Sequence, residues 1–434
     1  MLCSDFRSPN VARMSSTILP GIGAGAQHSE TIPAESLAYS SKTLLHPAHK
    51  ADARHRSQPL LPPLIRILDI FFRQNKTGRF FSGACAFNDV QFSGQRPIVG
   101  VGHHFVVYAS PFAKLDEIPE QVRKAGAEVY CIKSPNFTSK SENDDFQREY
   151  YHTTLQELRV MTHPDLAGQD NIINLLGLDF MEDYDDFKIS WPLLLMEYAD
   201  FGTLDVFQQD LNGLQPDLAR RLLLDVANGL LSLHRCNVIH GDVKSENVLI
   251  CRHPTRQYVA KVSDFGLAVV NPSPEKQHYL PGCTRLWSAP EAQTQLSVLG
   301  MQLTDVYSFG LTVWRVLLNC ANPFERLPRT ATSFYGQNDF VQQMKSNEMF
   351  PQIVMQSIEG LRVTFASAVV TATLTVDPAQ RSLEAAIHAL SGVTAMTHHK
   401  IEASNDLQLS GLAQWDLSED AGTILGKVSY NRHL

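Results

Sequence analysis

The chain has 434 residues, 44% of them hydrophobic and 19% charged, so it can bury an ample core in one large domain or two to three smaller ones. A formal net charge of −8 lacks the basic footprint of a general nucleic-acid binder, although it leaves room for a local basic pocket for phosphates. The seven scattered cysteines, without a C-x-x-C pair, argue against a disulfide framework or zinc site and for a reducing, intracellular setting, cytoplasmic or nuclear.

Residues 1–60 are rich in Ser, Ala, Pro, His and Gly and read as disordered. Their opening stretch, MLCSDFRSPNVARMSS, has no apolar core of signal-peptide length, and no apolar run in the chain approaches the ~18 residues of a membrane span. In residues 61–94, Leu64, Leu68 and Phe71 recur at helical spacing with Arg66 and Asp69 among them and Arg73 after, which predicts a short flanking helix packed on the following domain, with a membrane-surface helix as the alternative. From 95 to 200 the pattern is short strands and one helix. RPIVGVGHHFVVYAS and AEVYCIKSP are β-like, DFQREYYHTTLQELRVMTH is helix-like, and WPLLLMEYA reads as an apolar strand.

After Gly202 the chain changes to long helices. PDLARRLLLDVANGLLSLH sets Leu218, Leu222, Val226, Leu230 and Leu233 on one face, with Pro216 at its start, where proline is tolerated. TDVYSFGLTVWRVLL is apolar on most faces and predicts a helix at the centre of a helical unit. Residues 393–434 form a polar tail. A β-rich half followed by an α-rich half predicts an α+β fold of two lobes with a cleft between them.

The stretch HGDVKSEN places Asp242, Lys244 and Asn247 in a loop between an apolar helix and an apolar strand. Alone it could be a polar turn. It is followed by VSDFG, with Asp264 and Gly266, then by Ala289-Pro290-Glu291 and by Arg381 in VDPAQRS. Upstream lie Gly100-x-Gly102 with Val107 five residues on, Lys133 at a strand end, Glu157 in LQELRVM, and Met196, Glu197 and Ala199 in LLLMEYADFGTL. Glycines let a strand–turn–strand approach phosphates through backbone N–H groups.

In this order the motifs resemble the eukaryotic protein kinase superfamily over about residues 95–392. The resemblance implies a small β-rich N-lobe with one regulatory helix (95–196), a hinge (197–202) and a larger, mainly helical C-lobe (203–392), with ATP and Mg2+ as cofactors and a protein as substrate. Phosphoryl transfer needs positioning and charge neutralisation more than covalent chemistry. The resemblance then assigns the substrate hydroxyl to Asp242, charge on the transferring group to Lys244, and magnesium to Asn247 and Asp264. It assigns the phosphates to Gly100, Gly102 and Lys133, with Val107 beside them and Glu157 pairing the lysine. Glu149, two turns earlier on the same helix face, is the second candidate for that pairing. Met196 takes the gatekeeper position, and the backbone of Glu197 and Ala199 the adenine. Glu291 should pair with Arg381, and Asp305 should brace the catalytic loop.

Two departures stand out. Phe105 replaces the third glycine, which is similar to loops of fungal kinases and weakens the case for tight phosphate contact. Gly241 replaces the arginine of the usual His-Arg-Asp triplet, which implies activation that does not depend strongly on loop phosphorylation. Lys244 and Thr284 match the Ser/Thr pattern. A pseudokinase scaffold or ATP-binding switch is the alternative, set against the presence of Lys133, Glu157, Asp242, Asn247 and Asp264. His240 reads as a packed structural histidine, His103 and His104 as a solvated loop tip, and Cys283 as a small buried thiol.

Overall fold

A computed structural model of the chain describes residues 43–45, 81–82, 97–102, 104–111, 129–136, 144–182, 190–327, 337–361 and 363–392. The chain divides into two units, 1–41 and 42–434, and every described residue lies in the second. The expected helix around residues 64–71, the loop tip His103 and the tail 393–434 lie outside the described residues.

The first lobe is a six-stranded sheet. It uses β2 (Phe81–Ser82), β3 (Ile98–Val101), β4 (Phe105–Pro111), β5 (Val129–Pro135), β6 (Leu175–Glu182) and β7 (Ser190–Glu197), in the order β2-β6-β7-β5-β4-β3. The five strands from β3 to β7 are antiparallel, and β2 joins β6 in parallel. The β-branched and aromatic residues of VYCIKSP suit a central strand, and β5 is buried almost throughout. Helix α1 (Asp144–Met161) crosses one face of the sheet. Its Phe146, Tyr150 and Leu158 are buried, and the Tyr150 and Tyr151 rings pack on Trp191 of β7.

The second lobe contains α2 (Leu204–Asp210), α3 (Pro216–Arg235), α4 (Val298–Leu317), α5 (Gln337–Lys345), α6 (Phe350–Ser357), α7 (Ala366–Thr373) and α8 (Leu383–Ser391). α3 starts at Pro216 and buries Leu222, Val226, Leu230 and Leu233, with Leu218 half-buried at its open end. α4 is capped by Ser297 Oγ, which accepts from Gly300 N at 3.1 Å, and it is buried on most faces as its composition required. Gly310 lets α7 approach closely, since a Cβ there would lie 2.3 Å from Thr373 Oγ1. Among the described residues no helix is long and apolar enough to cross a membrane.

Between α3 and α4 run the short pairs that carry the chemistry. β8 (Val238–Ile239) pairs with β11 (Val269–Val270), and β9 (Val248–His253) forms a hairpin with β10 (Gln257–Val262). β12 (Gly282–Thr284) pairs with β1 (Thr43–Leu45), so a strand forms within the segment read as disordered. One core runs through both lobes, from Leu155, Leu158, Leu194 and Met196 to Leu222, Val226, Ile250 and Val262. The segment after β7 is tied to the hairpin by Phe201 N to Ile250 O at 3.1 Å and Ile250 N to Gly202 O at 2.9 Å. The two lobes therefore share a continuous floor beneath the cleft.

Candidate active site

The loop 240–247 is held from below by α4. Asp305, itself 1% exposed, accepts the backbone N–H of His240 at 2.8 Å and of Gly241 at 2.9 Å, and its Oδ2 lies 2.9 Å from His234 Nε2. Gly241 has φ of +79°, a left-handed conformation natural to glycine. His240 is fully buried. Its Nε2 lies 3.0 Å from Ser263 O, which makes that nitrogen the donor, and its Nδ1 accepts the N–H of Asp242 at 3.2 Å. The structural reading of this histidine agrees with its place.

Asp242 sits at the centre of a closed set of contacts. Lys244 Nζ donates to Asp242 Oδ2 at 2.6 Å and to Thr284 Oγ1 at 2.9 Å, while Thr284 N donates to Asp242 Oδ1 at 2.9 Å. Asn247 Nδ2 donates to Asp242 O at 2.8 Å. With its amide N–H2 turned to Asp242, the Oδ1 of Asn247 is the atom left for a cation. Burial works against the charge on Lys244, but Asp242 outweighs it, and the pKa is raised.

From the first lobe comes Lys133, inside β5, which continues to Pro135 rather than ending at the lysine. Its ammonium donates to Glu157 Oε1 at 2.5 Å and to Asp264 Oδ1 at 3.0 Å. Burial disfavours the Lys133 charge, yet the two carboxylates more than offset it and hold the lysine protonated. Burial likewise works against the Asp264 charge, and Lys133 and Lys244 overcome it, so this carboxylate stays ionised and suited to a hard cation. Glu157 feels burial most strongly, which raises its pKa to about 7 despite Lys133. Asp264 has φ of +63°. Gly266 lies where a Cβ would sit 2.3 Å from Thr153 Cγ2, so α1 packs directly on the loop.

Glu157, then, is the carboxylate that reaches Lys133. Glu149 instead lies 3.4 Å from His104, whose ring also rests near Phe146 with centroids 5.7 Å apart. His104 is half-buried against α1, a correction to the solvated loop tip, because an aromatic and a carboxylate on the helix face it. Val107 is the direct cross-strand partner of both Gly100 on β3 and Lys133 on β5. Gly102 closes the turn, with its N–H on Phe105 O at 2.8 Å and its carbonyl accepting Asn136 Nδ2 at 3.0 Å.

Met196 is buried opposite Cys131 at the end of β7. Glu197 receives Lys261 Nζ at 2.8 and 3.0 Å and the N–H of Asn174 at 2.6 Å, which fixes the turn carrying the half-buried Ala199. Farther off, Arg381 grips Glu291 with two guanidinium nitrogens, at 2.5 and 3.2 Å. The twelve residues singled out from the sequence lie on β3, β4, β5, β7 and α1, in the turn after β3 and in the loops after β7, β8 and β10, and direct contacts join Lys133, Glu157 and Asp264 in one set and Asp242, Lys244 and Asn247 in another.

Two side chains stand out only in three dimensions. The Phe105 ring lies over Lys133 Nζ at 3.6 Å from its centroid and fills the space beneath Gly102, where a Cβ would be 2.6 Å from the ring. Lys345, in α5, is fully buried and donates to Arg285 O at 2.9 Å and Ser288 O at 2.8 Å, pinning the segment between Thr284 and Glu291. The Phe-for-Gly replacement was a signal for the first. The second had none, because QQMKSN reads as a surface helix end.

Residues 117–390 match the family model described as protein kinase domain, and the chain belongs to that family. It is similar to the serine/threonine-protein kinase chk-1 of Caenorhabditis elegans, at 31% identity over 48% of this chain and 38% of the relative. It is also similar to the serine/threonine-protein kinase GRIK1 of Arabidopsis thaliana, at 29% identity over 37% of each chain. A probable serine/threonine-protein kinase, roco8 of Dictyostelium discoideum, is 34% identical over 28% of this chain and 7% of its own length. The chain therefore spans well under half the length of these curated relatives.

Proposed function

We propose that the chain transfers the γ-phosphoryl group of Mg-ATP to Ser or Thr hydroxyls of protein substrates. One observation carries this reading: Asp242, Lys244 and Thr284 form a closed triangle, and Asp264, whose carboxylate feels Lys244, is bonded to the Lys133 that Glu157 holds in the first lobe. Asp242 accepts the proton of the substrate hydroxyl, and its position is fixed by Thr284 N and Asn247. Lys244 places its charge beside Asp242, where negative charge builds on the transferring group. Lys133 reaches the α- and β-phosphates, and the backbone around Gly100 and Gly102 covers them. Magnesium, when bound, would neutralise phosphate charge, and Asn247 Oδ1 and the Asp264 carboxylate offer the oxygen ligands it takes. The backbone of Glu197 and Ala199 would receive the adenine beneath Met196. The names of the relatives support serine and threonine as acceptors, as does the Lys244–Thr284 contact.

The test is phosphate transfer from labelled ATP with magnesium onto a generic Ser/Thr peptide, with wild type beside Asp242→Asn and Lys133→Met. Both variants should fall by about 10²-fold or more. A wild type that binds ATP, seen as a rise in melting temperature, but labels nothing would make the chain an ATP-binding scaffold.

A further inference from the structure

We propose that strand β1 lies in the peptide-substrate channel and that Thr43 is a substrate of the chain's own active site. The inference rests on the phosphotransfer reading above. β1 pairs antiparallel with β12, with Thr43 opposite Thr284, Leu44 opposite Cys283 and Leu45 opposite Gly282. β12 is no remote edge. Thr284 gives its N–H to Asp242 and receives Lys244 on its hydroxyl. Directly opposed residues of an antiparallel pair have Cα atoms about 4.5–5.5 Å apart. Thr43 is therefore one strand spacing from the residue that touches both Asp242 and Lys244.

Among the described residues β12 has β1 as its sheet partner and no other. A short edge of this kind recognises an extended peptide through main-chain hydrogen bonds. Here the occupant is a segment of the same chain, more than 230 residues upstream of the edge it meets. In the transfer, the Thr43 hydroxyl oxygen forms a bond to the γ-phosphorus of ATP. The bond from that phosphorus to the bridging oxygen breaks, and its electron pair leaves with ADP. The hydroxyl proton passes to Asp242. Because the acceptor belongs to the same chain, the reaction is first order in protein.

The full chain is incubated with Mg-ATP over a hundredfold range of protein concentration, beside an added Ser/Thr peptide, and phosphosites are mapped by mass spectrometry. Thr43 should be labelled at a fractional rate independent of dilution, and the label should vanish from this site in Thr43→Val and from the chain in Asp242→Asn. A chain that labels the peptide but not Thr43, that carries the phosphate on Ser40 or Ser41 instead, or whose labelling falls with dilution overturns the proposal. A chain that labels neither overturns the phosphotransfer reading, and the Thr43 transfer with it. The strand's location has its own test. Opposed Cα atoms here fall within the span a disulfide bridges, about 4.4–6.8 Å. Oxidised Leu44→Cys protein should join to Cys283 in a peptide map, as Ala34→Cys protein should not. The join should cut labelling of the added peptide at least tenfold until dithiothreitol restores it. No join, or a joined protein that labels the peptide undiminished, places β1 outside the channel.

Discussion

Replacing Phe105 by glycine should tighten ATP binding. Lys133 has three N–H bonds, of which two go to Glu157 and Asp264 and the third faces the Phe105 ring, 3.6 Å from its centroid. No N–H is spare for a phosphate while the ring stays there. A desolvated cation–π contact is worth about 2 kcal/mol, and Lys133 is only 6% exposed. Displacing the ring therefore withholds about 2 kcal/mol from nucleotide binding, or about 30-fold at 1.4 kcal/mol per decade. Glycine returns some of this as backbone freedom, about 1 kcal/mol, so the net gain lies between about fivefold and about thirtyfold. Phe105→Leu separates the causes, since it keeps apolar bulk without the negative ring face. The assay is ADP affinity by calorimetry at fixed magnesium, together with KM for ATP. Unchanged or weaker affinity in both variants would show that the ring does not compete with phosphate for Lys133.

Lys345→Met should reveal a pH-dependent stabilisation. Burial lowers the Lys345 pKa from 10.5 to about 7, so above that pH the folded protein has lost a proton that the unfolded chain keeps. Stability then rises from about pH 7 towards 10.5 in wild type, so its melting temperature should rise relative to that of Lys345→Met between pH 6.5 and 9. A constant difference would refute it. Arg381→Leu leaves Glu291 partly buried and unpaired, at a cost of about 3–5 kcal/mol. For a domain of this size that lowers the melting temperature by on the order of 10 °C, readable by calorimetry. Ser273→Ala and Tyr279→Phe should keep wild-type activity, because the segment is held without phosphate by the reciprocal His278–Leu296 backbone bonds, both 2.8 Å, and by Lys345. Loss of peptide phosphorylation in either variant would contradict that.

The two lobes and the cleft were legible because each motif carries a local physical requirement. Asp242, Lys244 and Asn247 are spaced so that one loop turns all three into the same space, and Lys133 and Glu157 sit where a strand meets a helix face. What escaped the sequence depends on tertiary placement. Phe105 could be seen to replace a glycine, but the direction of its ring is set by Lys133 and Gly102 together. Lys345 looks like any lysine at a helix end until two carbonyls from residues 285 and 288 close over it. Thr43–Leu45 is too short to show a strand period, and its partner lies far along the chain.

Asp305 has a dynamic consequence. It binds the amides of His240 and Gly241 to the most deeply buried helix of the second lobe. Those two amides sit in irregular backbone, where hydrogen exchange is ordinarily fast. Their exchange requires breaking bonds to a carboxylate that is 1% exposed, so both should exchange far more slowly than ordinary loop amides. The loop that carries Asp242 is thus anchored to the core of its lobe rather than to its surface.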